Sequence, residues 1–118
     1  MPTSETEPQI VAVDPEEAVS LIAGGSFLLD VREDDEWDAG HAPQAVHIAM
    51  GEVGDRLAEI PTDRVVVCVC RVGGRSGSVA TALAGAGIDV RNLAGGMLAW
   101  AGASYPVVTD GGGAGKVI

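Results

Sequence analysis

Cys70 is followed by Arg71-Val72-Gly73-Gly74-Arg75-Ser76, and this run holds the residue types best able to do chemistry in the chain. The thiolate is the nucleophilic form of cysteine, and a free thiol ionises only at roughly pH 8.5. Inward-turned backbone amides, the positive end of a following helix and two guanidinium groups would each favour the anion. Val72, Gly73 and Gly74 can supply such amides, because glycine accepts the dihedrals a tight turn requires. The run therefore predicts Cys70 as nucleophile. Arg71, Val72, Gly73, Gly74, Arg75 and Ser76 are expected to form an anion cradle that receives a negatively charged substrate.

Such a loop has to be held by a strand and a helix. The preceding Arg64–Val69 is strongly apolar and reads as a central strand, and Arg75–Ala86 as a small-residue helix with Val79, Ala80 and Leu83 inward. In open α/β sheets ligands collect at the carboxyl ends of strands, where this loop would sit. Upstream, Gln9–Val13 is a short β-prone stretch. Asp14-Pro15-Glu16-Glu17 is a helix start with an acidic cap, an early proline and a glutamate three residues on. Phe27–Val31 is a continuous apolar run, as in a strand covered on both faces. Glu33–Gly40 reads as an acidic turn or short helix and Ala45–Ile48 as a brief strand. Gly51–Ile60 is predicted to be a helix with Val53, Leu57 and Ile60 inward. Asp89–Leu93 is a further strand, followed by a short helix around Met97–Ala101. The alternation predicts an α/β fold with a central, mostly parallel sheet and helices on both faces. Residues 1–8 are expected to be a flexible tail, 9–108 the domain, and 109–118 a glycine-rich flexible tail.

The 118 residues suit one domain. The net charge is −10, with only seven Lys and Arg, so nucleic acid is not an expected partner. No run approaches the ~18 apolar residues of a membrane span. Neither a basic start nor an apolar export segment opens the chain, so a cytoplasmic location is expected. Cys68 and Cys70 are the only cysteines. Two residues apart on a strand, their Cα atoms would lie roughly 6.6 Å apart with parallel side chains, a poor geometry for a disulfide. Cys68 reads as a core residue. His41 and His47 show no spacing that would complete a metal site with the cysteines.

Cys70-Arg71-Val72-Gly73-Gly74-Arg75-Ser76 resembles the active-site loop of single-domain members of the rhodanese family of sulfurtransferases, Cys-Arg-x-Gly-x-Arg-Ser, at every fixed position. Leu29-Asp30-Val31-Arg32, Glu36 and Gly40-His41-Ala42-Pro43 resemble the family's amino-terminal signature. Asn92-Leu93-Ala94-Gly95-Gly96, Trp100 and Pro106 resemble its carboxyl-terminal one. The resemblance runs from about Val13 to Val107, with one departure at Gln44, where a glycine is usual.

The resemblance implies a rhodanese-like fold and sulfane-sulfur transfer without cofactor or metal. Cys70 would take sulfur from a small anionic donor, thiosulfate above all, and pass it as a persulfide to a thiol or to cyanide. Arg71 and Arg75 would hold the sulfonate. Asp30 and Arg32 would tie neighbouring loops by an ion pair, and Glu36 and His41 would fix the acidic loop beside the pocket. One alternative is a sulfur relay or regulatory module that takes persulfide sulfur from a protein partner. Another is a phosphatase of the same fold, whose loop carries five residues between cysteine and arginine where this chain has four.

Overall fold

The computed structural model describes residues 9–118. The expected tail 1–8 lies outside them. Five strands form one sheet: β1 (Val11–Val13), β2 (Phe27–Asp30), β3 (Val46–His47), β4 (Val66–Val69) and β5 (Val90–Leu93). Their spatial order is β1-β5-β4-β2-β3, and every pairing is parallel. Four helices accompany them: α1 (Pro15–Ala23), α2 (Asp34–Ala39), α3 (Gly74–Gly85) and α4 (Gly96–Gly102).

The apolar run at β4 is explained by its place. It is the middle strand, paired with β5 on one side and β2 on the other, and Val66–Val69 are all fully buried. Alternate side chains serve opposite faces. Val66, Cys68 and Cys70 join Leu29 and Val31 in a core closed by Val79, Ala80 and Leu83 of α3 and by Val53 and Ile60. Val67 and Val69 join Leu28, Val13 and Leu93 in a second core closed by Ala18 of α1 and by Met97 and Trp100 of α4. Trp100 is fully buried and donates its indole N–H to the Pro106 carbonyl at 2.8 Å.

The start of α1 is set as its sequence predicts. Asp14 Oδ1 accepts from the Glu17 amide at 2.8 Å, and Glu17 Oε1 accepts from the Asp14 amide at 2.9 Å. This reciprocal pair satisfies two amides that a helix start leaves without partners.

Two expectations are corrected. Gly51–Ile60 is not an α-helix: it forms two 3-10 turns, Met50–Glu52 and Leu57–Glu59, with Leu57 exposed and Val53 and Ile60 buried. Gly51 and Gly54 lower the helical preference there, and burial at only two points does not demand a continuous helix. The segment after Val108 is not a free tail. It turns back so that the Gly115 amide donates to the Val107 carbonyl at 2.8 Å and the Lys116 amide to the Ala39 carbonyl at 2.9 Å. Gly115 marks a close approach: a Cβ on it would stand 2.7 Å from the Gly40 Cα.

Candidate active site

The site lies where β4 ends and α3 begins. Gly96, the first residue of α4, shapes that junction. The Met97 amide donates to the Cys70 carbonyl at 2.8 Å and the Leu98 amide to the Arg71 carbonyl at 3.1 Å. Gly96 has φ +59, and a Cβ there would collide with both carbonyls. The start of α4 thus pins the strand end and leaves the loop beyond it to curl around the sulfur.

Cys70 is 1 % exposed. Its Sγ accepts from the Gly73 amide at 3.1 Å, and the Ser76 Oγ stands 3.2 Å away. Gly73 caps α3 with φ +116, the left-handed conformation that aims its amide at the sulfur. The Ser76 hydroxyl also lies 2.7 Å from Asn92 Oδ1 and 3.4 Å from the Gly73 carbonyl. Its one proton serves one acceptor at a time, and a thiolate, being charged, gains most from it. Burial pushes the Cys70 thiol up. Hydrogen bonds from the Ser76 hydroxyl and from the amides of Ser76, Gly73 and Val72 outweigh burial and hold it below the ordinary thiol value. Cys68, two residues back on the same face, is the opposite case: burial, then the nearby Cys70 charge, push it up to about 12.

Asn92 is a site residue whose local role the sequence did not show. From β5 it donates Nδ2–H to the Gly73 carbonyl at 3.1 Å while its Oδ1 faces Ser76. One amide thus holds both residues that reach the sulfur. The register of β5 beside β4, with Asn92 opposite Cys68, puts it there.

The two arginines do not form the expected collar. Arg75 grips Glu36, with Nη1 on Oε1 at 2.7 Å and Nη2 on Oε2 at 2.8 Å. The Arg75 bonds outweigh the desolvation that pushes the other way and, with the Glu33 amide, hold the Glu36 carboxyl at about 2. Arg75 is in turn held firmly protonated, first by Glu36, with the Cys70 charge contributing. Arg71 turns outward and donates Nε–H to the Ile118 backbone oxygen at 2.9 Å. The thiolate is therefore favoured mainly by hydrogen bonds within the loop, not by guanidinium contacts. Val72 is 55 % exposed and Gly74 is also exposed, so the outer side of the loop is open to solvent.

The remaining signature residues build the wall beside the loop. Arg32 and Asp30 are fully buried and paired, Nη2 to Oδ2 at 2.8 Å, and the same Nη2 donates to the Gly40 carbonyl at 2.8 Å. The pair ties the end of β2 to the end of α2. His41 stacks on Trp37 with ring centres 3.5 Å apart. Its nitrogens face the Ala42 carbonyl and Asp110 Oδ1, which leaves neither for Cys70. His47 also stacks on Trp37, with ring centres 4.8 Å apart, and meets the Arg32 carbonyl at 2.7 Å. Among the described residues no three His, Cys, Asp or Glu side chains converge to hold a metal ion. No helix among them is long and apolar enough to cross a membrane.

The chain is thus a parallel α/β domain whose central strand delivers a cysteine into an amide-lined turn at a helix N-terminus. The profile described as Rhodanese-like domain matches residues 14–103, and the chain belongs to that family. YtwF of Bacillus subtilis is 42 % identical over 80 residues, covering 68 % of this chain and 78 % of its own. The thiosulfate sulfurtransferase GlpE of Pseudomonas savastanoi pv. phaseolicola is 36 % identical over 95 residues, covering 80 % of this chain and 89 % of its own. A rhodanese-related protein from Thermoplasma volcanium has the same fold, with a TM-score of 0.79 at 24 % identity over 85 % of this chain and 99 % of that one. The fold is thus rhodanese-like, as the sequence motifs implied, and several relatives of this chain are named as sulfurtransferases.

Proposed function

We propose that the protein is a thiosulfate sulfurtransferase that works through a persulfide on Cys70. The observation that carries this reading is the hydrogen-bonding of a buried cysteine sulfur by the Gly73 amide and the Ser76 hydroxyl at the start of α3. Those donors stabilise a thiolate before reaction, and afterwards the anionic outer sulfur of a persulfide. The similarity to a relative named as a thiosulfate sulfurtransferase supports the choice of donor.

In the first step the Cys70 thiolate attacks the outer sulfur of thiosulfate. A Cys70–sulfur bond forms as the sulfur–sulfur bond of the donor breaks, and its electron pair leaves with sulfite. The outer sulfur stays on Cys70 with a negative charge. In the second step an acceptor thiolate attacks that sulfur, the Cys70–sulfur bond breaks, and the Cys70 thiolate returns. Cyanide in place of the thiolate gives thiocyanate. Two displacements through a covalent intermediate give ping-pong kinetics. Arg71, exposed and next to Cys70 in the chain, would swing from Ile118 to meet the sulfonate as its charge grows, whereas Arg75 acts through its grip on Glu36 and its proximity to the thiolate charge. The acceptor in the cell is a small thiol or a protein thiol.

Thiocyanate formation from thiosulfate and cyanide tests the proposal, run beside hydrolysis of a phosphate ester. Turnover that disappears in Cys70→Ser is expected. Hydrolysis of the ester without sulfur transfer would overturn it.

A further inference from the structure

The segment that follows Pro106 crosses the end of α2 and reaches the loop at Arg71. His41 and Val108 exchange two backbone hydrogen bonds, at 2.9 and 2.8 Å, and Asp110 Oδ1 meets His41 Nε2 at 2.8 Å. The chain reverses between Thr109 and Gly113, where the Thr109 amide donates to the Gly113 carbonyl at 2.9 Å. It then passes so close to α2 that neither Gly40 nor Gly115 has room for a Cβ. The Lys116 amide fixes it to Ala39, Val117 packs against the second core, and the Ile118 oxygen receives Arg71 Nε–H.

We propose that this strap, residues 107–118, is a specificity element for the sulfur donor: the Ile118 oxygen competes with the donor's sulfonate for the Arg71 guanidinium. Arg75 is already committed to both oxygens of Glu36, so Arg71 is the loop arginine left to meet an incoming anion. The Ile118 oxygen engages only Nε–H, whereas a sulfonate offers several oxygens that can take two guanidinium N–H groups at once. A dianionic donor can therefore draw Arg71 off the strap, whereas an uncharged one cannot. The strap then acts as a threshold that strongly anionic donors pass and other sulfur compounds do not. The choice of a sulfonate donor rests on the function proposed above. The competition for Arg71 does not depend on whether sulfur is transferred.

The test compares alkylation of Cys70 by iodoacetate, an anion, with alkylation by neutral iodoacetamide, followed by peptide mass. Two variants loosen the strap: Gly115→Val, which places side-chain atoms against Gly40 and Val108, and deletion of 116–118, which carries the test if the substitution prevents folding. Each is expected to raise the iodoacetate-to-iodoacetamide rate ratio about threefold to tenfold, the worth of one ordinary hydrogen bond. Adding Arg71→Ala should abolish the gain. The KM for thiosulfate should fall by a similar factor with kcat little changed. An unchanged or lowered ratio overturns the proposal, the lowered one by showing that the strap presents Arg71 to anions. A raised ratio in a protein that transfers no sulfur would support the strap's role and refute the proposed function alone.

Discussion

Arg75, in the first turn of α3, holds both carboxylate oxygens of Glu36 on α2, so the helix that begins at the Cys70 loop is riveted to the acidic wall beside it. The carboxyl of Glu36 titrates at about 2, against an ordinary 4.5. A carboxylate depressed in the folded state contributes stability that is full above its unfolded value and is lost as pH falls through the folded one. Glu36→Gln should therefore destabilise the fold at pH 7 by roughly 1–2 kcal/mol, after discounting for solvent at the partly exposed guanidinium. Urea unfolding of both proteins should show the difference shrinking between about pH 4.5 and pH 2. A difference independent of pH across that window would contradict the account.

Ser76→Ala removes the hydroxyl donor at 3.2 Å while leaving the Gly73 amide in place. The thiol pKa should rise, and the ascending limb of the pH–rate profile should move to higher pH with it. A lost hydrogen bond to a charged acceptor corresponds to about a tenfold loss of alkylation rate at neutral pH. Iodoacetamide kinetics across pH measure both. An unmoved limb would mean that the hydroxyl stays on Asn92 and does not serve the sulfur.

Two glycines near Cys70 should respond differently to alanine. Gly96 has φ +59 and no room against the Cys70 and Arg71 carbonyls, whereas nothing stands within 4 Å of a Cβ on Gly74. Gly96→Ala should cost about 2–4 kcal/mol and lower the melting temperature markedly. Gly74→Ala, at a helix start with open space, should change stability by less than about 1 kcal/mol. Thermal melts of the two variants decide the matter, and equal losses would contradict the assigned junction.

Cys68 and Cys70 share a strand face but not a chemistry. With its thiol pushed up to about 12, Cys68 stays protonated at neutral pH. Cys68→Ala should keep most sulfur transfer and cost about 1–2 kcal/mol of stability through lost packing. Cys70→Ser should abolish transfer. Activity assays paired with urea melts separate the two effects, and the reverse pattern would identify the wrong nucleophile.

The turn after Cys70 and the central strand were legible because each is written locally. The unbroken apolar run before Cys70 demands burial on both faces, and a glycine pair after it demands a turn. The helix at Pro15 was equally plain in its capping residues. The partners of the two arginines were not legible, since Glu36 lies 39 residues before Arg75 and Ile118 lies 47 after Arg71. Asn92 was hidden for the same reason: only the β4–β5 register brings it to the loop. The stretch 51–60 misled because apolar spacing alone does not distinguish an α-helix from two short turns that bury the same valine and isoleucine. The glycine-rich end misled because one of its glycines, Gly115, serves a close backbone crossing.

Intact-mass spectrometry of the protein after incubation with thiosulfate tests the central claim most directly. The account predicts a gain of one sulfur atom, located on the Cys70 peptide and removed by a reducing agent. A mass that never changes, or an added sulfur found on Cys68, would contradict it.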